Sequence, residues 1–316
     1  MQFALPPRKS PHPLPIARST RLPYHRRKQL KTVAIFAIAI ATILYLFSHF
    51  TSSSSTSAVG PAGTTGVVIV TILDRKSFSE SFIKKIVTNR EDYAKRHGYT
   101  NFFASSSDFQ EAVGDAPQSW GIIPAVRHAI CKHPQTKYFF YLSAHALIMN
   151  PTQSLKSHLL DRAKLESLMM KDAPIVPPDS IIKTFTHLKE KDVDLIVTQD
   201  SEDLSPGSFI LKNGDFARYF LDLWFDPLYR SYNFAKAETH GLDHIIQWHP
   251  TVLARTALVP QRLLNAYSKD SPSASADGIY RDGDLVLRFP GCEARGGDCE
   301  EMDPYYMLWQ KRVKRA

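Results

Sequence analysis

Polar residues that could carry chemistry follow several apolar, strand-like segments of the chain. They are Asp74 after residues 67–73, Ser143 to His145 after 138–142, Asp200 after 195–197, and Arg288 near the end of 285–289. Ligands of open α/β sheets bind at the carboxyl ends of the strands, so these residues are candidates for one site. Carboxylates at such a site could hold a divalent cation against a diphosphate, and a guanidinium could bind the phosphate directly.

Alternating strands and helices must position these residues. Residues 67–73 form a continuous β-branched run, which is typical of a strand buried on both faces. An apolar stripe from Phe82 to Val87 predicts a helix that ends at Gly98, and a short strand follows at 101–104. Strand, helix and strand in immediate succession form a βαβ unit. The sequence therefore predicts an α/β fold with a mostly parallel sheet.

The rest of the chain continues this pattern. Further strands are predicted at 138–142, 195–197, 208–211 and 285–289, and further helices at 152–170, 215–224 and 238–248. Asn150-Pro151 is expected to open the first of these helices, because Pro at the first helical position needs no hydrogen-bond partner. Residues 269–278, rich in Ser, Asp, Pro and Ala, are expected to form a loop.

Positive charge is concentrated in residues 1–31. This segment carries 8 of the 39 basic residues and no acidic residue, so the remaining 285 residues hold 31 basic and 31 acidic side chains. The body of the chain is therefore neutral. A nucleic-acid-binding protein carries its excess positive charge on a folded face. The composition argues against a nucleic-acid partner.

Residues 32–50 contain no charged side chain and predict a membrane anchor. Nineteen helical residues extend about 28 Å, close to the roughly 30 Å hydrocarbon core of a bilayer. The basic flank places the amino-terminal side in the cytoplasm. We therefore predict a cytoplasmic tail at 1–31, a transmembrane anchor at 32–50, a flexible stem at 51–66 and a single folded domain at 67–316. A cleaved signal peptide is the alternative, but its apolar segment is usually shorter.

The three cysteines indicate one covalent link. Cys292 and Cys299 flank a flexible hexapeptide and are predicted to form a disulfide in an oxidising compartment, two free thiols being the alternative. Cysteines in a C-x-x-C spacing are lacking, so the sequence predicts neither a zinc site nor a redox pair.

Six segments in a fixed order carry a resemblance to a known family. They are NREDYAKRHGY at 89–99, WGIIPAVRHAI at 120–130, YLSAHALIMNP at 141–151, GSFILKN at 207–213, LVPQRLLNAYS at 258–268 and GDLVLRFPGC at 283–292. Together they resemble the blocks of family 34 glycosyltransferases, which include fungal Golgi galactosyl- and mannosyltransferases and plant xyloglucan xylosyltransferases. The resemblance covers residues 67 to about 306. Within the family, the chain most resembles the α-1,6-mannosyltransferase subunits of the fungal mannan polymerase complex.

The resemblance implies a GT-A-like fold and a retaining transfer of a hexose from a nucleotide-sugar donor. It also implies a single-pass type II protein of the Golgi membrane with a lumenal carboxyl-terminal domain. The expected reaction is α-1,6 transfer of mannose from GDP-mannose onto mannan or N-glycan chains, in a hetero-oligomer with other mannosyltransferase subunits. The alternative is a non-catalytic subunit that stabilises an active mannosyltransferase.

That alternative arises because the chain departs from the family at its metal site. The family's Asp-x-Asp is replaced by Ser143-Ala144-His145, and Arg288 stands where the family has a third ligand, a His. Mn²⁺ is usual in the family, but His145 is a weak candidate ligand by itself, so no cofactor is expected. Arg288 could instead bind the donor's phosphates, or pair with Glu293 or Asp298.

The sequence thus assigns two sets of site residues. The expected donor-binding residues are Asp74, Ser143, His145, Gly207 and Arg288. Glu238 and Asp200 are the expected catalytic carboxylates, placed to bind the acceptor or to stabilise an oxocarbenium-like transition state. The alternative roles of these two residues are a helix cap for Glu238 and a turn for Asp200. Two other Asp-x-Asp sequences, at 192–194 and 282–284, precede strands and are expected to be solvated loops.

Overall fold

A computed structural model describes residues 66–269, 271 and 275–315. The predicted tail, the predicted anchor and the stem as far as residue 65 lie outside the described residues. Among the residues that are described, no helix combines the length and the apolar character needed to cross a membrane.

Nine strands and ten α-helices form the described part of the chain. The strands are β1 (Val67–Leu73), β2 (Thr100–Ser105), β3 (Tyr138–Leu142), β4 (Ala146–Ile148), β5 (Leu195–Thr198), β6 (Ser208–Lys212), β7 (Thr256–Val259), β8 (Ala266–Tyr267) and β9 (Val286–Arg288). The helices are α1 (Glu80–His97), α2 (Gln110–Val113), α3 (Ile122–Lys132), α4 (Arg162–Leu168), α5 (Asp215–Trp224), α6 (Pro227–Ser231), α7 (Ala237–Trp248), α8 (Pro250–Leu253), α9 (Pro290–Arg295) and α10 (Asp303–Val313).

The main sheet has the strand order β2-β1-β3-β6-β5-β7 and is mixed. Its β1–β2, β1–β3 and β5–β7 pairs are parallel, whereas β6 runs antiparallel to both β3 and β5. The prediction of a mostly parallel sheet is therefore right for five strands and wrong for β6. Residues 199–207, which join β5 to β6, are too few for the crossover of a dozen or more residues that a parallel pair requires.

The interior strand β1 is buried on both faces, as its composition predicts. Val68 and Val70 pack into a core on one face, with the helices α3, α5 and α7. Val67 and Ile69 point to the other face and pack into a second core, which includes Tyr93 of α1. Each fully buried Val or Ile stabilises the fold by about 1.5–3 kcal/mol relative to an exposed side chain, so these two layers fix the strand in the interior of the sheet.

A second sheet of three strands, β4-β9-β8, lies beside the first. Its strand β4 occupies residues immediately before the helix that Asn150-Pro151 was predicted to open, and that prediction is wrong. Instead of one helix over 152–170, the chain forms a π-helical turn at Lys156–Leu160 and then α4. Asp161 separates the two because it is extended and its side chain caps α4, accepting hydrogen bonds from the N–H groups of Ala163 and Lys164.

Candidate functional site

The pairing of β4 with β9 brings residues 143–145 close to Arg288. In this antiparallel pair Ala146 lies opposite Arg288. The N–H of Phe289 donates to the carbonyl of His145 over 2.9 Å. Ser143 leaves the end of β3, and its N–H donates to the carbonyl of Gly207 at the start of β6 over 2.8 Å. The carboxyl end of β3 and the second sheet thus meet at one point.

Arg288 forms an ion pair at this point in which its own side chain is buried and that of Glu293 is partly exposed. Its Nη2 contacts Oε2 of Glu293, and its Nη1 donates to Oδ1 of Asn265 over 3.1 Å. The other carboxylate oxygen of Glu293 accepts from the hydroxyl of Ser143 over 2.8 Å. The side chain of Arg288 is only 7% exposed. Of the two partners that the sequence suggested for Arg288, Glu293 is the one found; Asp298 instead accepts from Ser79.

Both members of this pair are charged. Burial disfavours the charged form of each side chain, but their mutual attraction outweighs it. The pKa of Arg288 is raised above its ordinary value and the pKa of Glu293 is lowered below its ordinary value. We call the set Ser143, Arg288, Glu293 and Asn265 the Arg288 network.

A second buried guanidinium lies behind the loop that carries Ser143. Nη2 of Arg90, on α1, donates to the carbonyls of Ser143 over 3.0 Å and of Ala146 over 2.8 Å. Burial lowers the pKa of Arg90 to about 9, so it remains charged at neutral pH. The loop that carries an Asp-x-Asp in the family is therefore fixed here by a cation.

His145 is packed rather than open. Its Nε2 lies 2.8 Å from the carbonyl oxygen of Gly297, and its ring lies 5.3 Å from Phe78 and 5.6 Å from Phe82 between ring centroids. Because a carbonyl oxygen only accepts, Nε2 carries the proton and is not free to bind a metal.

The donor set at this point does not fit Mn²⁺. The hydroxyl of Ser143 and both oxygens of Glu293 are already engaged within the Arg288 network. A divalent cation there would also meet the positive charge of Arg288 at close range. The site would have to break the ion pair before it could coordinate an ion.

Gly207 allows Arg288 to occupy its position. A Cβ at residue 207 would lie 2.1 Å from Cζ and 2.2 Å from Nη2 of Arg288. The guanidinium therefore lies directly against the backbone of Gly207, and any other residue would displace it.

Asp200 is linked to the Arg288 network through Tyr267. The hydroxyl of Tyr267 donates to Oδ2 of Asp200 over 2.8 Å, and its ring centroid lies 5.8 Å from Cζ of Arg288. Oδ1 of Asp200 accepts from the N–H groups of Glu202 and Asp203, which is the turn role that the sequence left open. Asp200 also lines a cavity of about 760 Å³ at the carboxyl ends of β5 and β7.

Glu238 is a buried carboxyl in the first turn of α7. It is 8% exposed, and its Oε2 has no hydrogen-bond partner among the described residues. Burial raises its pKa to about 7; hydrogen bonds from Ser119 and from its own N–H oppose this rise, as does the charge of Arg288, whereas the charge of Glu293 adds to it. The helix-cap role that the sequence left open does not apply, because Lys236 occupies the N-cap position.

Asp74 follows β1, and its carbonyl accepts from the N–H of Phe78, whose ring packs against His145. Within the described chain the hydrogen bonds of its carboxylate come from the hydroxyls of Ser77, at 2.6 Å, and Ser106, at 3.0 Å, and from the N–H of Lys76. These contacts stabilise the turn after β1. The structure therefore brings together Ser143, His145, Gly207, Asp200, Glu238 and Arg288, and it places Asp74 at the end of β1, the parallel neighbour of β3.

A disulfide joins Cys292 and Cys299, the pair predicted from the sequence, with a Cα–Cα distance of 5.5 Å. It closes the loop that carries Glu293 and Gly297, which are the partners of Arg288 and His145.

Three residues of the site were not identified from the sequence. Arg90, Asn265 and Tyr267 all lie within segments that carry the family resemblance, and all three are almost fully buried. In the sequence each of them is a polar residue within a mostly apolar segment. Hydrophobic periodicity alone assigns such a position to the protein core and not to a site.

Comparison with known proteins agrees with the resemblance seen in the sequence. The model of the galactosyl transferase GMA12/MNN10 family matches residues 63–300. An uncharacterized alpha-1,2-galactosyltransferase of Schizosaccharomyces pombe is 35% identical over 233 residues, which are 73% of this chain and 69% of that protein. The probable alpha-1,6-mannosyltransferase MNN11 of Saccharomyces cerevisiae is 31% identical over 263 residues, 78% of this chain and 62% of that protein.

Among solved structures, a glycosyltransferase involved in the glycosylation of the major capsid of PBCV-1 aligns with 70% of this chain and 92% of its own, at 11% identity and a TM-score of 0.45. The family match spans β1 to β9 and all the residues of the Arg288 network. The chain belongs to the galactosyl transferase GMA12/MNN10 family of glycosyltransferases.

Proposed function

We propose that the protein transfers a hexose from a nucleotide-sugar to a glycan, on a GT-A-like fold, without a metal ion at residues 143–145. The observation that carries this proposal is Glu238, a buried carboxyl with an unpartnered oxygen in the described structure and a pKa of about 7, beside the Arg288 network. A perturbed carboxyl next to a specific charged partner is a common feature of catalytic sites.

The charges around Glu238 suit a departing diphosphate. The side chains of Arg90, Arg288, Glu293 and Glu238 all act electrostatically on the buried hydroxyl of Tyr141. When Glu238 is protonated, the net charge of these four side chains is one positive charge, because the two arginines outnumber the ionised Glu293. Fixed positive charge aimed at the leaving group is a main contribution of a protein to such a reaction. In this proposal the carboxylate of Asp200 stabilises the oxocarbenium-like sugar, and the protonated Glu238 forms a hydrogen bond with the acceptor hydroxyl.

The acceptor is proposed to bind in the cavity beside Asp200. Its volume of about 760 Å³ lies within the range of ligand-binding clefts, roughly 300–1,000 Å³. Mixed charge lines it, including Lys164, Arg262 and Asp284. Such a lining offers many hydrogen bonds to the hydroxyls of a glycan chain.

The finer assignments rest on family similarity. The names of the relatives describe both galactosyl- and mannosyltransferases. We propose mannose from GDP-mannose in α-1,6 linkage, galactose being the competing donor. We also propose Golgi membrane localisation with a lumenal body and assembly with other mannosyltransferase subunits.

A second candidate function has its own support. The Arg288 network is closed: Glu293 pairs with Arg288 and Ser143, and Nε2 of His145 is engaged by Gly297. A non-catalytic subunit that stabilises an active homologue would keep such a network for stability alone.

Transfer assays distinguish the two functions. The purified full chain is incubated with radiolabelled GDP-mannose or UDP-galactose and mannan oligosaccharides, alongside a Glu238→Gln variant and a Glu202→Gln control on the protein surface. We expect transfer by the wild type and the control and none by Glu238→Gln. Absence of transfer from every donor, combined with stabilisation of a co-expressed homologue, would establish the second function instead.

A further inference from the structure

Three potential metal ligands gather at a place separate from residues 143–145. Asp203 lies in the turn that follows β5, and His240 and Asp243 lie on one face of α7, three residues apart. One ligand atom from each residue can be chosen so that all three atoms lie within 4.8 Å of one another. Side chains from two different elements thus converge on one point.

Other contacts orient two of these side chains. Oδ2 of Asp203 contacts the ammonium of Lys236, and its Oδ1 lies 3.9 Å from Nε2 of His240. Oδ1 of Asp243 accepts from the N–H of Leu204 over 3.1 Å. Metal-binding carboxylates are usually held in this way, one oxygen by a hydrogen-bond donor and the other directed to the ion.

The second oxygen of Asp243 is the decisive observation. Asp243 is 5% exposed, yet its Oδ2 has no hydrogen-bond partner anywhere in residues 66–269, 271 and 275–315. Burial, together with the charges of Asp203 and Asp200, raises the pKa of Asp243 to about 8, so a proton on Oδ2 directed to the carboxylate of Asp203 also satisfies this oxygen, and a cation must displace that proton. A cation between them would satisfy both oxygens.

We propose that Asp203, His240 and Asp243 bind a divalent transition-metal ion. Two carboxylate oxygens and one imidazole nitrogen are ligands that suit Mn²⁺ or Zn²⁺, and three protein ligands leave positions for water. The carboxylate of Asp203 and, once its proton is displaced, the carboxylate of Asp243 exceed the single charge of Lys236, so the surroundings attract a cation. The side chain of His240 is 32% exposed, which gives the ion access from solvent.

The proposed metal site adjoins the proposed catalytic residues, because the N–H of Asp203 donates to Oδ1 of Asp200, but the proposal does not rest on the transfer reaction. The expectation of no cofactor was drawn from residues 143–145 and 288, and it does not bear on residues 203, 240 and 243. A test by direct metal binding therefore stands or falls separately from any assay of transfer.

The experiment titrates the EDTA-treated full chain with Mn²⁺, followed by the electron paramagnetic resonance signal of the free ion, and in parallel with Zn²⁺ by calorimetry. Variants Asp243→Asn and His240→Gln remove one ligand each, and Asp243→Asn keeps an acceptor for Leu204. Glu202→Gln is the matched control, because it contacts the same Lys236 without belonging to the triad. His145→Gln controls for binding at the family position.

We expect one ion of Mn²⁺ or Zn²⁺ per chain, with affinity reduced at least tenfold in Asp243→Asn and His240→Gln and retained in both controls. Lack of binding by the wild type would overturn the proposal, and so would binding that survives both ligand variants or is lost in His145→Gln. If Asp243→Asn does not fold, His240→Gln decides, because its partly exposed side chain tolerates substitution.

Discussion

The closed ion pair of Arg288 and Glu293 is the residue-scale feature with the clearest energetic consequence. A buried charge left without its partner destabilises a protein by about 3–5 kcal/mol, whereas replacing both partners by apolar residues is often neutral. The side chain that Arg288→Met leaves unpaired, Glu293, is 31% exposed, so we expect a smaller loss, roughly 1–3 kcal/mol of the free energy of unfolding, and we expect the double variant Arg288→Met/Glu293→Leu to recover most of it.

Urea unfolding followed by circular dichroism measures both effects. The matched control is Arg218→Met, because Arg218 pairs with Asp215 at the surface with 57% of its side chain exposed. That variant should change stability by less than ~1 kcal/mol. Additive losses in the double variant would show that Arg288 and Glu293 do not act as a pair.

Glu238 predicts a dependence of stability on pH. Its pKa is raised from 4.5 to about 7. Between these values the unfolded chain loses the proton while the folded chain keeps it, so stability is full below about pH 4.5 and falls as pH rises to about 7. The loss is up to ~3 kcal/mol at about 1.36 kcal/mol per unit of pKa. Glu238→Gln cannot ionise and should therefore gain stability relative to the wild type between pH 5 and pH 8, measured by denaturant unfolding in EDTA. Parallel pH profiles of the two proteins would contradict this.

Donor binding should not depend on a metal at residues 143–145. The Arg288 network lacks a free set of ligands there, and Arg288 with Arg90 supplies positive charge instead. Calorimetry of the full chain with GDP-mannose should give the same affinity with Mn²⁺ and with EDTA. A requirement for Mn²⁺ that persists in His240→Gln would place the ion at the donor site and refute the expectation.

At the scale of elements, Gly207, which immediately precedes β6, allows the side chain of Arg288 on β9 to lie against the backbone. A methyl group there would overlap the guanidinium of Arg288, so Gly207→Ala should destabilise the fold by roughly 1–3 kcal/mol through overpacking. Gly121→Ala is the matched control, since its added Cβ has open space among the described atoms and its φ is −58°. Thermal unfolding of both variants tests the contact, and equal melting temperatures would show that Arg288 moves aside at no cost.

The elements that the sequence predicted well are those with a strong local pattern. The strands β1 and β3 and the helix α5 have the predicted bounds, because continuous apolar runs and helical periodicity are sufficient to define them. Gly98 ends α1 in a left-handed conformation, as expected. Local pattern failed for β4, whose three residues gain their conformation from pairing with β9, far along the chain.

The sequence predicted several of the residues that form the candidate site and where in the fold it lies, but it did not predict which partners these residues contact. Ser143 and Arg288 were singled out because they depart from the family and flank strands, and the structure brings them into one network. The choice of Glu293 over Asp298 as partner depends on how α9 turns after β9, which no local pattern encodes. The contact of Tyr267 with Asp200 depends on the pairing of β8 in the second sheet.

At the scale of the whole molecule, charge distribution predicts which side of a membrane the body occupies. Eight basic residues and no acidic residue precede the apolar segment 32–50, and the remainder of the chain is neutral. Cationic flanks stay in the cytoplasm, so the amino-terminal tail should be cytoplasmic and the body lumenal. In sealed Golgi vesicles, added protease should remove about 30 residues from the amino terminus and leave the body intact. Detergent should abolish this protection. Digestion of the body in vesicles that remain sealed would show the opposite orientation. It would therefore also contradict the proposal of a lumenal glycosyltransferase.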